Sequence, residues 1–570
     1  MMLPSRRRVL RQIVTGAAAL SGLPVFVRHA LAADAPRFTL GVASGSPTAT
    51  SVVLWTRVVA PAALAAFGVA EQGDGVDDGT ARLPPEVPVQ WEVAADEAFS
   101  QIVARGTEPA RAAEAHTVHA EVTGLAPGRV YWYRFAALGQ RSAAGRTRTA
   151  PAADADVARL DFAIASCQRW EHGHWAAWRD LAANAPDLVL FLGDYIYEYA
   201  SVPNGPRSHA LGAATTLAGY RARYALYKSD PLLQAAHAVA PWVVIWDDHE
   251  VENDYAGVQS ERLHGDFAAR RAAAYRAWWE HMPLPHSLRP LAAGGGAMTI
   301  HGRLDWGRLA RLQWVDDRQF RDPQLCPRAD RGGGSNTVRL RDCPGLVRET
   351  ARTLLGAAQE RWLAEGWSTA HPWNLLAQQT LMARFTREAV AAPSTTAANA
   401  MNAASAASAA SAENAANGLG PAADAPLLGR YWTDGWDGYP AARQRLLSVL
   451  AERRVPNPVV FGGDVHANYV ADLHVDFDAA GRRAPIATEF CGTSISSRGS
   501  AQSSVDAALR FNPHIRYGRS EERGYGRFTL TRERLSADLR VVADPADPAS
   551  AVKSGARFVV EAGRAGAVKG

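Results

Sequence analysis

The chain has 570 residues, of which 47% are hydrophobic and 21% are charged. These proportions are those of a globular protein, so they exclude a largely disordered, collagen-like or coiled-coil chain. The net charge of +4, from 61 basic and 57 acidic residues, gives no reason to expect nucleic-acid binding or attachment to a membrane surface. Four cysteines are too few for a disulfide-dense scaffold or a cysteine-rich zinc module.

Residues 1–32 have the pattern of an export signal. The arginines at 6–8 precede a mostly apolar run over 13–27, and a small-x-small cleavage pattern follows at 30–32. Paired arginines ahead of such a run resemble a twin-arginine signal, although an ordinary secretory signal with a chance arginine run is the alternative. We expect the mature chain to begin near Ala33, with no transmembrane anchor, after the twin-arginine machinery exports it to the periplasm or the exterior.

Residues 36–150 predict an N-terminal β-sandwich domain. Short alternating runs at 52–58, 87–93 and 130–135 read as strands separated by turn residues. In the last run Tyr131, Tyr133 and Phe135 share one face. A turn that leads into an aromatic strand is typical of small sandwiches of the fibronectin type.

Residues 158–550 predict an α/β catalytic domain, because short apolar strands alternate there with longer helical stretches such as 270–280 and 359–365. One segment, 394–418, is nearly all Ala, Ser, Asn and Thr, and it predicts a surface loop without a packed core. We set residues 551–570 apart as a C-terminal tail. We expect the protein to be a monomer.

Two cysteines, Cys326 and Cys343, lie in a stretch rich in Pro, Gly and Arg. In an exported protein such a pair is expected to form a disulfide. Closing a loop of this length would stabilise the fold by about 3 kcal/mol in the loop-entropy account. The alternative is two unpaired thiols.

Four apolar, strand-like runs in the second domain are each followed at once by polar side chains. After the runs at 162–165, 188–192, 243–246 and 459–461 come Cys167; Asp194 and Tyr197; Asp247, Asp248, His249 and Glu250; and Asp464 and His466. Loops at the carboxyl ends of strands form the active sites of open α/β sheets, so these side chains are expected to meet in one polar pocket.

So many carboxylates in one pocket would raise one another's pKa values, and metal cations are the simplest resolution. Thiolate and phenolate donors suit ferric iron, while carboxylates suit calcium, magnesium or manganese. A mixed two-metal or multi-metal site is therefore our hypothesis. Each loop alone has an ordinary reading as a turn, a helix start or a buried thiol, and it is their recurrence after four apolar runs that favours a metal site.

At these residues the chain resembles the PhoD-like alkaline phosphatases and related phospholipase D enzymes, a branch of the metallophosphoesterase superfamily. The resemblance rests on the strings Gly193-Asp194-Tyr195-Ile196-Tyr197-Glu198, Trp246-Asp247-Asp248-His249-Glu250 and Gly463-Asp464-Val465-His466. It extends to Asp317-Arg318-Gln319-Phe320-Arg321 and Trp436-Asp437-Gly438-Tyr439. It covers nearly all of the chain after the signal and implies a metallophosphoesterase-type α/β sandwich behind the N-terminal β domain.

The resemblance implies one ferric iron, Fe(3+), together with calcium, Ca(2+). Asp194 would bridge the metals, and the iron would also take Cys167, Tyr197 and His466. The calcium would take Asp248 and Asp464, with Asn253 as a further oxygen donor.

The same resemblance makes His249 an acid near the leaving oxygen. Arg318, Arg169 and Arg498 are candidates to grip the phosphate, and each is equally open to a structural ion pair. His514 would line the pocket or cap the surface, and Cys491 is expected to pack.

The predicted activity is hydrolysis of phosphate mono- or diesters at alkaline pH, by attack of a metal-activated hydroxide. A phospholipase D or another phosphodiesterase on the same site is the first alternative, because substrate choice lies in loops such as 200–230 and 394–440. A non-catalytic exported binding protein on the same fold is the second.

Overall fold

The computed structural model describes residues 37–59, 83–202, 205–290, 297–388, 428–479 and 484–570. The export signal predicted at 1–32 and the low-complexity segment predicted at 394–418 lie outside these ranges. Within the described ranges, no helix has both the length and the apolar character needed to cross a membrane.

The N-terminal part folds as the predicted antiparallel β-sandwich. Its strands are β1 (Val42–Gly45), β2 (Val52–Arg57), β3 (Glu86–Ala94), β4 (Ile102–Arg111), β5 (Thr117–Val122), β6 (Val130–Ala137), β7 (Gln140–Arg141) and β8 (Gly145–Arg148). One layer has the order β4-β3-β6-β7 with β8 also paired to β6, and β1, β2 and β5 form the other layer. The predicted aromatic face of β6 is confirmed, because Tyr131, Tyr133 and Phe135 are buried between the layers.

The rest of the chain supplies sixteen strands and eight helices within the described residues. The strands are β9 (Leu160–Ala165), β10 (Leu188–Phe191), β11 (Pro241–Val244), β12 (Gly302–Trp306), β13 (Ala310–Trp314), β14 (Thr337–Arg339), β15 (Trp373–Ala377), β16 (Arg430–Trp432), β17 (Pro458–Gly462), β18 (Asn468–Leu473), β19 (Ala487–Cys491), β20 (Ile515–Arg519), β21 (Arg523–Leu530), β22 (Arg534–Val542), β23 (Val552–Glu561) and β24 (Val568–Lys569). The helices are α1 (Ala176–Asn184), α2 (Leu217–Lys228), α3 (Pro231–His237), α4 (Phe267–His281), α5 (Gly345–Arg348), α6 (Ala357–Gly366), α7 (Pro440–Glu452) and α8 (Gln502–Leu509).

Two large mixed sheets pack face to face. A ten-stranded sheet runs β24-β23-β22-β21-β9-β10-β11-β1-β2-β5, and a seven-stranded sheet runs β12-β13-β15-β17-β19-β18-β20. Phe162 and Phe528 of the first sheet meet Phe461 and Phe490 of the second, with ring centroids 4.9–5.4 Å apart across the interface. Burial of each such ring contributes about 1.5–3 kcal/mol, so this apolar contact holds the sheets together.

The centre of each sheet is parallel, and this fixes where the polar loops lie. Strands β9, β10 and β11 are parallel neighbours in one sheet, and β13, β15, β17 and β19 are parallel neighbours in the other. The carboxyl ends of parallel strands meet at one edge of a sheet. The loops after β9, β10, β11 and β17 therefore converge, as the sequence predicted.

The first and the last strands of the described residues are both part of the ten-stranded sheet. Strand β1 pairs in parallel with β11, so the N-terminal sandwich shares a layer with the α/β part. At the opposite edge β23 pairs with β22 along its length, and β24 pairs with β23. The tail predicted at 551–570 is thus corrected to edge strands: alternate residues of β23, such as Phe558 and Val560, enter the core, which a short terminal stretch did not reveal.

The junction of the N-terminal part and the α/β part buries Lys228 at the end of α2. Its ammonium group lies 4.1 Å from the centroid of the Trp55 ring and 5.4 Å from that of Tyr195. Burial lowers the pKa of Lys228 from 10.5 to about 7. Burial likewise lowers the pKa values of the neighbouring His237 and His281 well below the ordinary value, so both stay neutral near neutral pH and above.

Lys228→Met is therefore expected to change how stability depends on pH. Between about pH 7 and pH 10.5 the unfolded chain keeps the Lys228 proton that the folded chain has released, so stability rises with pH across this window. In the native chain, the unfolding free energy rises by on the order of 4 kcal/mol over this window because of Lys228, and the methionine variant lacks this rise. Denaturant midpoints of both proteins at pH 7 and pH 10 measure it. Equal slopes in the two proteins would contradict the assignment.

Candidate metal centre

The first group of candidate ligands joins both sheets. Cys167 follows β9, Asp194 follows β10 and His466 follows β17, and one donor atom from each lies within 4.8 Å of the others. The Tyr197 hydroxyl donates to Asp194 Oδ2 at 2.6 Å and lies 3.2 Å from His466 Nε2. The four side chains that the sequence assigned to one cation are therefore together. We call them the thiol cluster.

Two further groups continue from Asp194. Asp194, Asp248 and His249 bring one donor atom each within 4.8 Å, and Asp248, Asp254 and Asp434 do the same. We call the last three the carboxylate cluster. Because Asp194 and Asp248 are each shared between neighbouring groups, the clusters form one continuous strip along the edge where the loops meet.

The ligand loops turn sharply as they leave their strands. Cys167, Asp194, Asp464 and His466 all have left-handed backbones, with φ of 59°, 60°, 63° and 53°. This conformation is costly for residues with a side chain and collects at functional sites, where the surroundings hold it in place. Gly193, with φ of 109°, is required here, because a Cβ atom would lie 2.5 Å from the Asp247 Cβ.

The buried Glu250 carboxylate holds two of these loops. It accepts hydrogen bonds from the backbone N–H groups of Asp194 at 3.1 Å, Tyr195 at 2.6 Å and Asp247 at 2.9 Å. Burial and the nearby Asp194 charge raise the pKa of Glu250 to about 8. Gln379 has a similar role between the sheets, since its side-chain amide donates to the carbonyls of Trp246 and Val315 and its backbone carbonyl accepts from Gly463 N–H.

The donor set fits bound cations. Asp194 Oδ1, Asp248 Oδ1 and Asp464 Oδ2 are buried oxygens that lack a hydrogen-bond partner among the described residues. Unpaired buried carboxylate oxygens are costly unless a cation neutralises them. Burial, together with Asp194 and Asp464, raises the pKa of the Cys167 thiol well above its ordinary value. Only a cation would make this thiol a thiolate at neutral pH, as metal binding requires.

His249 lies beside the strip, with its imidazole against a carboxylate. Its Nδ1 lies 2.8 Å from Glu198 Oε2. Although burial lowers it, the charges of Asp248 and Glu198 raise the pKa of His249 well above the ordinary value. The backbone N–H of Asn253 donates to the other Glu198 oxygen, so Glu198 is fixed from two sides.

Arg318 is a buried structural cation. It donates to Asp247 and, through both terminal nitrogens, to the two oxygens of Asp434 at 3.1 and 2.8 Å. Its side chain is 1% exposed. Of the two readings left open for it, the structure shows the ion pair: Asp247 and Asp434 take three of its N–H donors, and these bonds hold Asp434 within the carboxylate cluster.

The remaining sequence candidates fall in different places. Arg169 lies over the rings of Tyr197 and Tyr199, 5.5 and 5.1 Å from their centroids, and its side chain is partly exposed. Arg498 is exposed, and its carbonyl lies 2.8 Å from His466 Nδ1. Both stand beside the thiol cluster. The Asn253 amide donates to Glu261 at 2.8 Å, which leaves its Oδ1 as the atom open to a cation.

His514 is corrected to a packing residue. Its ring lies against Phe477 at a centroid distance of 4.7 Å, and its Nε2 pairs with the Arg384 carbonyl. It is 1% exposed, so it does not line an open pocket. Cys491 packs as expected: its thiol is buried behind the ligand loop and donates to the Gly463 carbonyl.

Sequence reasoning missed Asp254 and Asp434, two of the three residues in the carboxylate cluster. Asp254 lies six residues beyond Asp248 and its N–H donates to Asp248 Oδ2 at 2.7 Å. Asp434 follows β16, which pairs with β14 outside the main sheets. The sequence offered one signal for it, the pair Asp434-Gly435 just before Trp436. No apolar run precedes this pair, whereas such a run precedes each of the other ligand loops.

The predicted disulfide between Cys326 and Cys343 is confirmed. The loop that it closes carries Ser335, whose N–H and hydroxyl both donate to Asp254 Oδ2, at 3.1 and 2.7 Å. It also carries β14, the partner of the strand that precedes Asp434. The disulfide therefore braces the segment that positions the carboxylate cluster.

Replacing both cysteines, in the Cys326→Ser/Cys343→Ser variant, is expected to lower the unfolding free energy by about 3 kcal/mol and to weaken cation binding at the carboxylate cluster. The loss of binding follows because Ser335 would hold Asp254 less firmly. Denaturant titration and calorimetric calcium titration measure the two effects, with dithiothreitol-treated native protein as the second arm. Unchanged stability and calcium affinity in both arms would contradict the bracing role.

Comparison with known proteins agrees with this geometry. Residues 162–539 match the PhoD-like phosphatase family, and residues 26–151 match the PhoD-like phosphatase N-terminal domain. Alkaline phosphatase D of Bacillus subtilis (strain 168) is 40% identical over 541 residues, which cover 93% of this chain and 82% of that protein. A solved structure of PhoD aligns with a TM-score of 0.79 at 38% identity, covering 94% of this chain and 92% of that one. The chain belongs to the PhoD-like phosphatase family.

Proposed function

We propose that this protein hydrolyses phosphate esters at alkaline pH, with ferric iron in the thiol cluster and calcium in the groups that include Asp248. The observation that carries the proposal is the strip of buried, unpaired donors at the loops of both sheets. The family and the relative named alkaline phosphatase D support it.

The two sets of donor atoms favour different cations. Cys167, Tyr197 and His466 supply soft or aromatic donors that suit ferric iron, and they share Asp194. Asp248, Asp254 and Asp434 supply only oxygens, and Asp464 adds a buried oxygen without a hydrogen-bond partner among the described residues; such donors suit calcium. Bound there, the cations would polarise the phosphoryl group and acidify the attacking water.

The chain's own residues supply the rest of the chemistry. His249, whose Nδ1 pairs with Glu198, would donate a proton to the departing alkoxide oxygen. Arg169, which lies over Tyr197 with its side chain partly exposed, stabilises negative charge on the phosphoryl oxygens. Glu250 holds the loops of Asp194 and Asp247 together by accepting hydrogen bonds from both backbones.

A phospholipase D or another phosphodiesterase remains the alternative on this site. Initial rates on a phosphomonoester, a phosphodiester and a phosphatidylcholine vesicle, measured with the same cation-loaded protein, separate the activities. Turnover of the monoester at the highest rate supports the proposal, and turnover of the vesicle alone supports the alternative. A non-catalytic binding protein would turn over none of the three.

Export is part of the same proposal. The twin-arginine pattern at 1–32 and the disulfide between Cys326 and Cys343 both suit a folded protein that works in the periplasm or outside the cell. We also propose that it acts as a monomer. Cell fractionation and the mass in solution test these two points.

Asp194→Asn is expected to lower turnover on a phosphomonoester by about 100-fold or more, because the shared ligand of two groups loses its charge. Rates and metal content of the purified variant measure this. Asp187→Asn is the matched control: Asp187 precedes the same strand at its other end and pairs with Arg148. If Asp194→Asn kept the turnover of the control, the cation assignment would be wrong.

Cys167→Ser and Asp254→Asn are expected to separate the two kinds of cation. Cys167 belongs to the thiol cluster alone, so its variant should lose iron and keep calcium. Asp254 belongs to the carboxylate cluster alone, so its variant should keep iron and lose calcium. Elemental analysis of the purified variants gives both contents. Parallel loss of both metals in each variant would rule out this division.

A further inference from the structure

One loop outside the four ligand loops contacts two residues of the thiol cluster through a single serine. Residues 495–498 follow β19, the strand that lies beside β17 in the seven-stranded sheet. The backbone N–H of Ser497 donates to the Cys167 carbonyl at 3.2 Å. The hydroxyl of the same serine donates to the Tyr197 oxygen at 2.7 Å. Ser497 is fully buried, so it contacts these residues from inside the protein.

The neighbours of the two hydroxyls determine which of them donates. The Tyr197 hydroxyl donates to Asp194 Oδ2 at 2.6 Å, so its hydrogen is already used. Ser497 Oγ accepts from the Arg169 backbone N–H at 3.1 Å, which leaves its own hydrogen for the Tyr197 oxygen. The bonds therefore form a chain that runs one way, from the Arg169 backbone to the shared ligand Asp194. Bonds in such a chain strengthen one another.

The next residue of the loop contacts a third member of the thiol cluster. The Arg498 carbonyl lies 2.8 Å from His466 Nδ1, and because a carbonyl only accepts, Nδ1 carries a hydrogen. In the neutral ring Nε2 then has the lone pair, and this atom lies 3.2 Å from the Tyr197 oxygen. His466 is thus held in the orientation in which Nε2 can bind a cation.

The loop is itself fixed by buried hydrogen bonds. Arg523 is 5% exposed, and it donates to Ser494 Oγ at 2.7 Å and to the Ser497 carbonyl. His172 Nδ1 accepts from the Arg498 N–H at 3.1 Å. None of these bonds depends on a cation, so the Ser497 hydroxyl is in place before a cation binds.

We propose that Ser497 is a positioning residue of the thiol cluster, which holds the Tyr197 oxygen in place for the cation without binding the cation itself. The inference rests on the proposed iron site and deepens it, because it names the residue on which the tyrosine ligand depends. Without the serine hydroxyl, the Tyr197 oxygen loses the one hydrogen bond that it accepts from a serine and keeps its bond to Asp194. Loss of a group that supports a metal ligand commonly costs about 10- to 100-fold in metal affinity.

Ser497→Ala tests the inference through iron binding rather than turnover. The full-length protein is freed of iron, kept in calcium and titrated with ferric iron in competition with nitrilotriacetate. The variant is expected to bind ferric iron about tenfold or more weakly than the native chain. The visible absorption band of a phenolate on ferric iron is expected to move to longer wavelength, because the phenolate loses a hydrogen-bond donor that stabilised its electrons.

Ser496→Ala is the matched control from the same loop. Ser496 is also buried, but its hydroxyl pairs with the Arg169 carbonyl at 2.7 Å and with Trp175 Nε1 at 3.1 Å. Among the described residues its hydroxyl has no hydrogen bond to a side chain of the thiol cluster. Its removal should lower the melting temperature about as much as Ser497→Ala does, while the iron affinity and the absorption band stay those of the native chain.

Tyr197→Phe shows through which atom Ser497 acts. This variant lacks the tyrosine oxygen, so adding Ser497→Ala to it should weaken iron binding no further. A serine that only stabilised the fold would weaken iron binding equally in both backgrounds. Iron titrations of the two single variants and the double variant give this comparison.

Native iron affinity in Ser497→Ala would overturn the inference, provided that the native chain binds ferric iron, and the proposed function would then stand without it. An equal loss of affinity in Ser496→Ala, or an equal loss with and without the Tyr197 oxygen, would overturn it as well. If the native chain binds no ferric iron, the proposed iron site fails, and the inference fails with it. Melting temperatures of the variants check that each is folded.

Discussion

The crowding of negative charge at the edge where the two sheets meet is the constraint on which the rest depends. Asp248 brings a donor oxygen within 4.8 Å of one from Asp194 on one side and of one each from Asp254 and Asp434 on the other. Arg318 compensates part of this charge through its ion pairs with Asp248 and Asp434. Bound cations would neutralise the remaining unpaired oxygens, and the loops of the two sheets are arranged to hold such positive charge.

The architecture supplies that holder at several levels. Phenylalanines between the sheets bring the ends of β9, β10, β11 and β17 together, and left-handed turns then direct the ligands inward. Glu250 and Gln379 fix the loops through backbone hydrogen bonds, which do not depend on the cations. A disulfide-bonded segment and β14 brace the side that the main sheets do not reach. The strained conformation of the ligand loops is thus held in place by contacts outside the ligand clusters themselves.

Sequence reasoning found the thiol cluster because its loops follow apolar strands, a pattern with a direct physical cause. It could not find Asp434, which follows a short strand outside the main sheets, or separate Arg318 from a phosphate-binding arginine. Both depend on contacts between residues that are distant in sequence. The structural role of Arg318 follows from its hydrogen bonds to Asp247 and Asp434, which the sequence does not show. The sandwich, the α/β sheets and the disulfide were predictable. The shared layer between the two parts was not, because one parallel pairing of β1 with β11 leaves no local signal.

An anomalous-difference map at the iron absorption edge, from a crystal of the purified native protein, tests the central claim most directly. We expect one strong peak between Cys167 Sγ, Asp194 and His466 Nε2, with additional density of calcium strength near Asp248. A map without an iron peak at this position, or with iron bound among the carboxylates of Asp254 and Asp434, would contradict it.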